Sequence, residues 1–191
     1  MKVFYFDCET SGTNPNRNDI LQMAGLIEID GQVIDSFKLH CQPFDYGTIE
    51  QGALDCNGLT IEQIKTFPTP QETYSELLKI LGNHVNKYDR TDKFYLAGQK
   101  IGFDADFLQA FFEKNNDKYF GSWVNRRYID LLALTRILNY AGVLKTENDK
   151  LGTLAEMFGI SLDAHDASED IRATREILKL MIGKYIKHDV V

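Results

Sequence analysis

The chain has 191 residues, 43% hydrophobic and 26% charged, with a formal net charge of −7 at pH 7. This predicts one globular domain over residues 1–191 and excludes a protein that holds nucleic acid by bulk electrostatics, although an enzyme that neutralises phosphate locally with metal ions stays open. Cys8, Cys41 and Cys56 match neither a zinc-ligand spacing nor a disulfide framework, and no apolar stretch suits a signal peptide or a membrane span, so a soluble, cytoplasmic protein is expected.

Val3 to Phe6 form an apolar run that predicts a short strand buried on both faces. Asp7 and Glu9 follow at its C-terminal end. Side chains of a strand alternate, so both carboxylates point to one face and Cys8 to the other. Ser11-Gly12-Thr13-Asn14-Pro15 breaks the strand. Ile20 to Asp30 and Val33 to Cys41, joined at the Asp30-Gly31 turn signal, extend it into an antiparallel meander. Residues 43–70 are a connector, with a short helix over Ile49 to Cys56 ended by Asn57-Gly58 and a further helical turn from Thr60. Tyr74, Leu77, Leu78 and Leu81 have the spacing of an amphipathic helix over Gln71 to Val85. Phe94 to Ala97 predicts a fourth strand, Asp104 to Asn115 a helix, and Asp117 to Arg127 irregular structure. Ile129 to Tyr140 is a Leu-rich helix, Leu151 to Phe158 a short helix stopped by Gly159, and the last helix runs from Ala167 to about Lys187. Strands first, then strand–helix alternation, predict an α/β fold with a mixed sheet and helices packed on it. Ligands of such sheets lie at the carboxyl ends of strands, where Asp7 and Glu9 stand.

An isolated Asp-x-Glu recurs about once by chance in a chain of this size. Its meaning depends on other carboxylates. Asp104 shares an i, i+3, i+4, i+7 stripe with Phe107, Leu108 and Phe111, whereas Asp106 falls on the polar face. A first-turn or capping acid is the structural alternative for Asp104. Asp170 sits in the apolar stripe of the last helix with Ala167, Ile171, Thr174, Ile177, Leu178 and Met181. Asp166 and Glu169 resemble a capping box, which puts Asp170 past the need for capping and His165 on the preceding loop. Four inward acids require cations, and the chemistry that uses them is two-metal phosphoryl transfer with a histidine base.

Three segments resemble known motifs. Phe6-Asp7-Cys8-Glu9-Thr10-Ser11-Gly12, Gly102-Phe103-Asp104-Ala105-Asp106-Phe107-Leu108 and Ala164-His165-Asp166-Ala167-Ser168-Glu169-Asp170 are similar, in this order, to the motifs of the DEDD superfamily of 3′–5′ exonucleases. The group resembled is the DnaQ-like one, with a histidine in the third motif, to which proofreading subunits of bacterial replicative DNA polymerases belong. The resemblance implies a ribonuclease-H-like fold, a mixed five-stranded sheet flanked by helices. It implies two Mg²⁺ or Mn²⁺ ions. Asp7, Glu9 and Asp170 would hold one, and Asp7 would bridge to the second, with Asp104 acting largely through water. His165 would be the general base. Thr10 and Gly12 would lie beside the terminal nucleotide, with Asn57 in place of a histidine common there. Asp130 is read as a helix cap. The implied partner is the 3′ end of single-stranded DNA or RNA, with a DNA polymerase as a further one; DNA is favoured. The alternatives are an RNA-trimming ribonuclease and a non-catalytic polymerase-binding module of the same fold.

The chain departs from the family at Gln99-Lys100, where His-Asn is frequent, and at Asn57-Gly58-Leu59. Lys100 either contacts phosphate or faces solvent. Phe103, Phe107, Phe111 and Tyr128 either stack on bases or belong to the core. Arg172, Arg175, Lys179, Lys184 and Lys187 give the last helix a basic face, either simply solvated or open to a longer strand or a partner.

Overall fold

The structure is a computed structural model that describes residues 1–162 and 167–186. Five strands form one mixed sheet in the order β3-β2-β1-β4-β5: β1 (Lys2–Thr10), β2 (Ile20–Ile29), β3 (Gln32–His40), β4 (Phe94–Gly98) and β5 (Val124–Asp130). β1, β2 and β3 make the expected antiparallel meander, turned at Asp30-Gly31 with positive φ at both residues. β4 runs parallel to both β1 and β5. Among the described residues eight α-helices accompany the sheet: α1 (Gln51–Asn57), α2 (Ile61–Ile64), α3 (Pro70–Gly82), α4 (Ile101–Lys114), α5 (Phe120–Trp123), α6 (Leu131–Tyr140), α7 (Leu151–Phe158) and α8 (Ala167–Met181).

The sheet has two apolar faces because β1 alternates along its length. Phe4, Phe6 and Cys8 pack with Leu77 and Leu81 of α3 and with Phe107 and Phe111 of α4. Val3 and Tyr5 pack with Leu131 of α6, Leu154 of α7 and Ile171 and Ile177 of α8. Each such fully buried side chain contributes about 1.5–3 kcal/mol. Asp7 and Glu9 continue the second series, so they project toward α8.

Local chemistry sets the helix ends. Thr60 with Gln63, and Thr69 with Glu72, form capping boxes that start α2 and α3. Gly58 and Gly159, left-handed at φ 68, end α1 and α7 as the sequence predicts.

Several expectations change. β1 extends to Thr10, so Asp7 and Glu9 lie within the strand, opposite Ala24 and Gln22 of β2. The segment expected to be irregular contains α5 and most of β5. Its pairing with β4 slips between Asn125 and Ile129, so residues 126–128 bulge and break the alternation by which a strand is recognised. The last helix is α-helical only to Met181 and continues as a π-helical segment, Ile182–Ile186.

Candidate active site

β1 pairs with β4 only from Val3 to Tyr5, so its remaining length has a free edge on that side. The start of α4 approaches this edge. Asp104 Oδ1 accepts the Cys8 backbone N–H at 3.1 Å and the Cys8 thiol at 3.4 Å. α4 begins at Ile101, earlier than expected, which puts Asp104 in its first turn, 5% exposed and anchored by Phe107, Leu108 and Phe111 behind it. On the other sheet face, Asp170 lies in the first turn of α8, whose buried stripe of Ala167, Ile171, Thr174, Ile177 and Met181 holds it against β1. Asp7, Glu9, Asp104 and Asp170 thus line one cleft of about 360 Å³, with Lys100 and Phe103 beside them.

The acids disturb one another. Burial lifts the Asp7 carboxyl well above the ordinary carboxylate range, and Asp104, Glu9 and Asp170 push it further. Burial likewise pushes Asp104 up to about 7, against the two hydrogen bonds from Cys8. Burial and then the Asp104 charge raise the Cys8 thiol. Such a cluster retains protons unless a cation replaces them. Among the described residues, no three His, Cys, Asp or Glu side chains already enclose a metal position. The donor set is nevertheless one of carboxylate oxygens along an open cleft, which suits a hard divalent cation that keeps part of its water shell. His165 lies outside the described residues, as do Asp166 and Lys187.

A second pocket of about 360 Å³ adjoins the first through Glu9 and Thr13 and is lined by Thr10, Gly12, Glu50 and Asn57. Thr10 Oγ1 donates to the Gly12 carbonyl at 2.7 Å. Asn57 Nδ2 donates to the Thr10 carbonyl at 3.2 Å and Asn57 Oδ1 accepts the Leu59 N–H at 3.2 Å, so this amide ties the end of α1 to β1 and forms the pocket wall. Gly12 has a packing reason of its own. A Cβ there would lie 2.3 Å from the Asn18 side chain, which donates to the Thr48 carbonyl at 2.8 Å.

The four aromatic candidates separate. Phe107 and Phe111 are core residues, Tyr128 is 37% exposed on the bulge of β5, and Phe103 is the one in the acid cleft. The Phe103 ring lies 4.9 Å from that of Phe107, with Lys100 Nζ 5.7 Å from its centroid. Three of the five cations expected on the last helix are engaged by glutamates, while Lys184 lies over the Tyr185 ring. Arg172 pairs with Glu169 and Glu176, while Arg175 and Lys179 both pair with Glu28 of β2. Asp130 caps α6 as expected, accepting from Leu132 N at 2.8 Å. It also accepts the backbone N–H of Lys100 at 3.1 Å, a link with no signal in the sequence. The role of Cys8 in holding Asp104 is equally silent there.

Residues 4–178 match the RNase_T family model, described as Exonuclease. Two relatives of the chain are PolC-type DNA polymerases III. That of Clostridium perfringens is 28% identical over 180 residues, and that of Halalkalibacterium halodurans 27% over 186. These alignments cover 94% and 97% of the chain but only 11% and 12% of the polymerases. Among solved structures, E. coli exonuclease I in complex with a dT13 oligonucleotide gives a TM-score of 0.79 at 21% identity, over 95% of this chain and 41% of that one. Exonuclease I from Methylocaldum szegediense gives 0.80 at 21% identity, over 97% and 41%. The structural likeness shows the fold, a ribonuclease-H-like mixed five-stranded sheet flanked by helices. With a family model that spans nearly its whole length and three motifs in order along it, the chain belongs to the RNase_T exonuclease family, within the DEDD superfamily of 3′–5′ exonucleases.

Proposed function

We propose that residues 1–191 form one exonuclease domain, cytoplasmic and metal-dependent, that removes nucleoside 5′-monophosphates from the 3′ end of single-stranded nucleic acid, with DNA favoured. The observation that carries this reading is the convergence of Asp7, Glu9, Asp104 and Asp170, from one strand and two helices, on a single cleft. The naming of the relatives as DNA polymerases and the oligonucleotide in the exonuclease I complex support DNA, and the polymerases make a polymerase a reasonable partner. Among the described residues no helix is long and apolar enough to cross a membrane.

Asp7, Glu9 and Asp170 would hold one Mg²⁺ or Mn²⁺ ion, and Asp7 with Asp104 the second. Two such ions, when bound, acidify an attacking water and stabilise charge on the leaving oxygen. The chain's own residues do the rest. Cys8 fixes one oxygen of Asp104. Thr10, Gly12 and Asn57 form the wall against which the terminal nucleoside is placed, and Phe103 offers an aromatic face. His165 takes the proton of the attacking water. A P–O bond to the water oxygen forms, the P–O3′ bond breaks with its electron pair going to O3′, and O3′ takes a proton from solvent water, so the shortened strand ends in a new 3′-hydroxyl.

Digestion of matched 5′-labelled DNA and RNA oligomers, with Mg²⁺, Mn²⁺ or EDTA, tests this. A ladder shortening from the 3′ end, faster on DNA, lost in EDTA, and absent on a covalently closed circle is expected. Cleavage of the circle or undiminished digestion in EDTA would overturn it. Faster digestion of RNA would favour the RNA-trimming alternative, and binding without hydrolysis under every condition the non-catalytic one.

A further inference from the structure

We propose that the groove running from Asp170 past Lys100 to Lys150 receives the strand immediately upstream of the scissile bond, and that the two lysine ammonium groups contact its phosphates. The inference rests on the exonuclease reading. The acid cleft lies between two spaces of unequal size. On one side it shares Glu9 and Thr13 with the pocket of about 360 Å³ formed by Thr10, Gly12 and Asn57. On the other it shares Gln99, Lys100 and Asp170 with a groove of about 750 Å³ that also includes Lys150 and Thr153. An enzyme that releases one nucleotide at a time needs a compartment for one nucleoside and a larger exit for the remaining strand. The sizes give this trough its polarity.

Charge gives the same direction. The chain carries a net −7, and the acids themselves repel phosphate beyond the one at the reaction centre. Lys100 and Lys150 are exposed on the groove, and neither enters an ion pair among the described residues. The cations of α8 differ, since Arg172, Arg175 and Lys179 are all held by glutamates.

Both lysines are held in place. Lys100 adopts a left-handed backbone, φ 59, which is costly for a side chain with a Cβ. Asp130 holds that turn through the Lys100 N–H. Lys150 stands at the start of α7, its N–H donating to Asn148 at 3.0 Å. The two segments are joined directly, since Gln99 Nε2 donates to the Asp149 carbonyl at 2.6 Å. The backbones that carry the two lysines are therefore anchored to each other and to the fold, and both exposed ammonium groups open on the groove next to the acid cleft.

The test compares wild type with Lys100→Gln, Lys150→Gln and the double variant on two substrates. One is a single-stranded oligothymidylate. The other is the p-nitrophenyl ester of thymidine 5′-monophosphate, which has no upstream phosphate. The ratio of kcat/KM for oligomer over ester should fall about tenfold in the double variant. The slope of log kcat/KM against log salt should lessen by about 0.7 per lysine removed. An unchanged ratio, or an unchanged salt slope, would overturn the proposal. Equilibrium binding of a labelled oligothymidylate separates this from the exonuclease reading. If wild type binds but hydrolyses neither substrate, a reduced salt slope in the variants still upholds the groove while the catalytic reading falls. If the slopes are identical, the groove falls too.

Discussion

At its start α8 sets Asp170 beside Asp7 of β1, and farther along the same helix sets Arg175 and Lys179 against Glu28 of β2. Both sheet carboxylates are largely removed from water on one face of one sheet, and their chemistry is opposite. Burial pushes the Glu28 carboxyl up, but hydrogen bonds from Lys179 and Arg175, at 3.0 and 2.6 Å, outweigh it and bring it below the ordinary range. For Asp7 burial acts in the same direction and every carboxylate around it adds to the rise. Glu28 is satisfied by cations within the fold, whereas the charged groups that act on Asp7 are all carboxylates, as the proposed metal site requires. Burial alone does not separate a structural acid from a functional one; the sign of its neighbours does.

Substitutions at the two ends should therefore separate activity from stability. The largest effect is expected from Asp7→Asn. Turnover should fall by at least about 10³-fold, several kcal/mol of transition-state stabilisation. Thermal denaturation in EDTA should show the variant at least as stable as wild type, since it removes a repelled buried charge. Substantial 3′-end digestion by the variant would contradict the metal-site reading. Next is His165→Ala, with single-turnover rates down by about 10²–10⁴-fold and the rise of rate with pH through the imidazole titration abolished. A variant that keeps the wild-type pH dependence would point to another base.

At the other end, Glu28→Gln should cost about 2 kcal/mol of stability, the usual scale for losing hydrogen bonds to a charged group. Urea denaturation measures this, and turnover below the transition should be close to that of wild type. A stable Glu28→Gln protein with impaired catalysis would erase the distinction between the two ends.

The pH dependence of stability sharpens it further. Asp7 and Asp104 have raised folded values, so without metal their contribution is complete in acid and is lost as pH rises toward and past about 7. Glu28 has a depressed value, so its contribution is present above the ordinary carboxyl range and is lost as pH falls through its folded value. Melting curves in EDTA should thus decline between about pH 5 and about pH 8, and Asp7→Asn should flatten the decline. Added Mg²⁺ or Mn²⁺ should restore the melting temperature of wild type at the alkaline end and do little for the variant. The smallest expected effect is that of Cys8→Ala, a loss of a few-fold in turnover, because the backbone N–H still holds Asp104 after the thiol is gone. An assay with the Cys8→Ser protein should show partial recovery.

Much of this arrangement was legible in the residues. The period-two alternation placed Asp7 and Glu9 on one face, and the helical stripes placed Asp104 and Asp170 inward, because burial follows periodicity. Gly58 and Gly159 marked helix ends because their left-handed conformation is local chemistry. β5 was not legible, because the bulge at residues 126–128 removes the alternation that marks a strand. Nor was the pairing of Arg175 and Lys179 with Glu28. A run of basic residues on a helix looks the same whether it faces water or a carboxylate brought from a distant strand. The Lys100–Asp130 link is tertiary for the same reason.

The contact between Cys8 and Asp104 joins residues 96 apart in sequence, and that between Glu28 and Arg175 joins residues 147 apart. The first needs α4 packed against β1, and the second needs α8 returned across the sheet to β2. The meander of β1, β2 and β3 needs only short loops and can nucleate alone, whereas the parallel pairing must first meet a large loop-closure entropy. Refolding followed by a fluorophore on the meander should therefore run ahead of refolding followed by nuclease activity. A chain cut before α8 keeps Asp7, Glu9 and Asp104 but lacks Asp170, so under the proposed function it should digest no 3′ end.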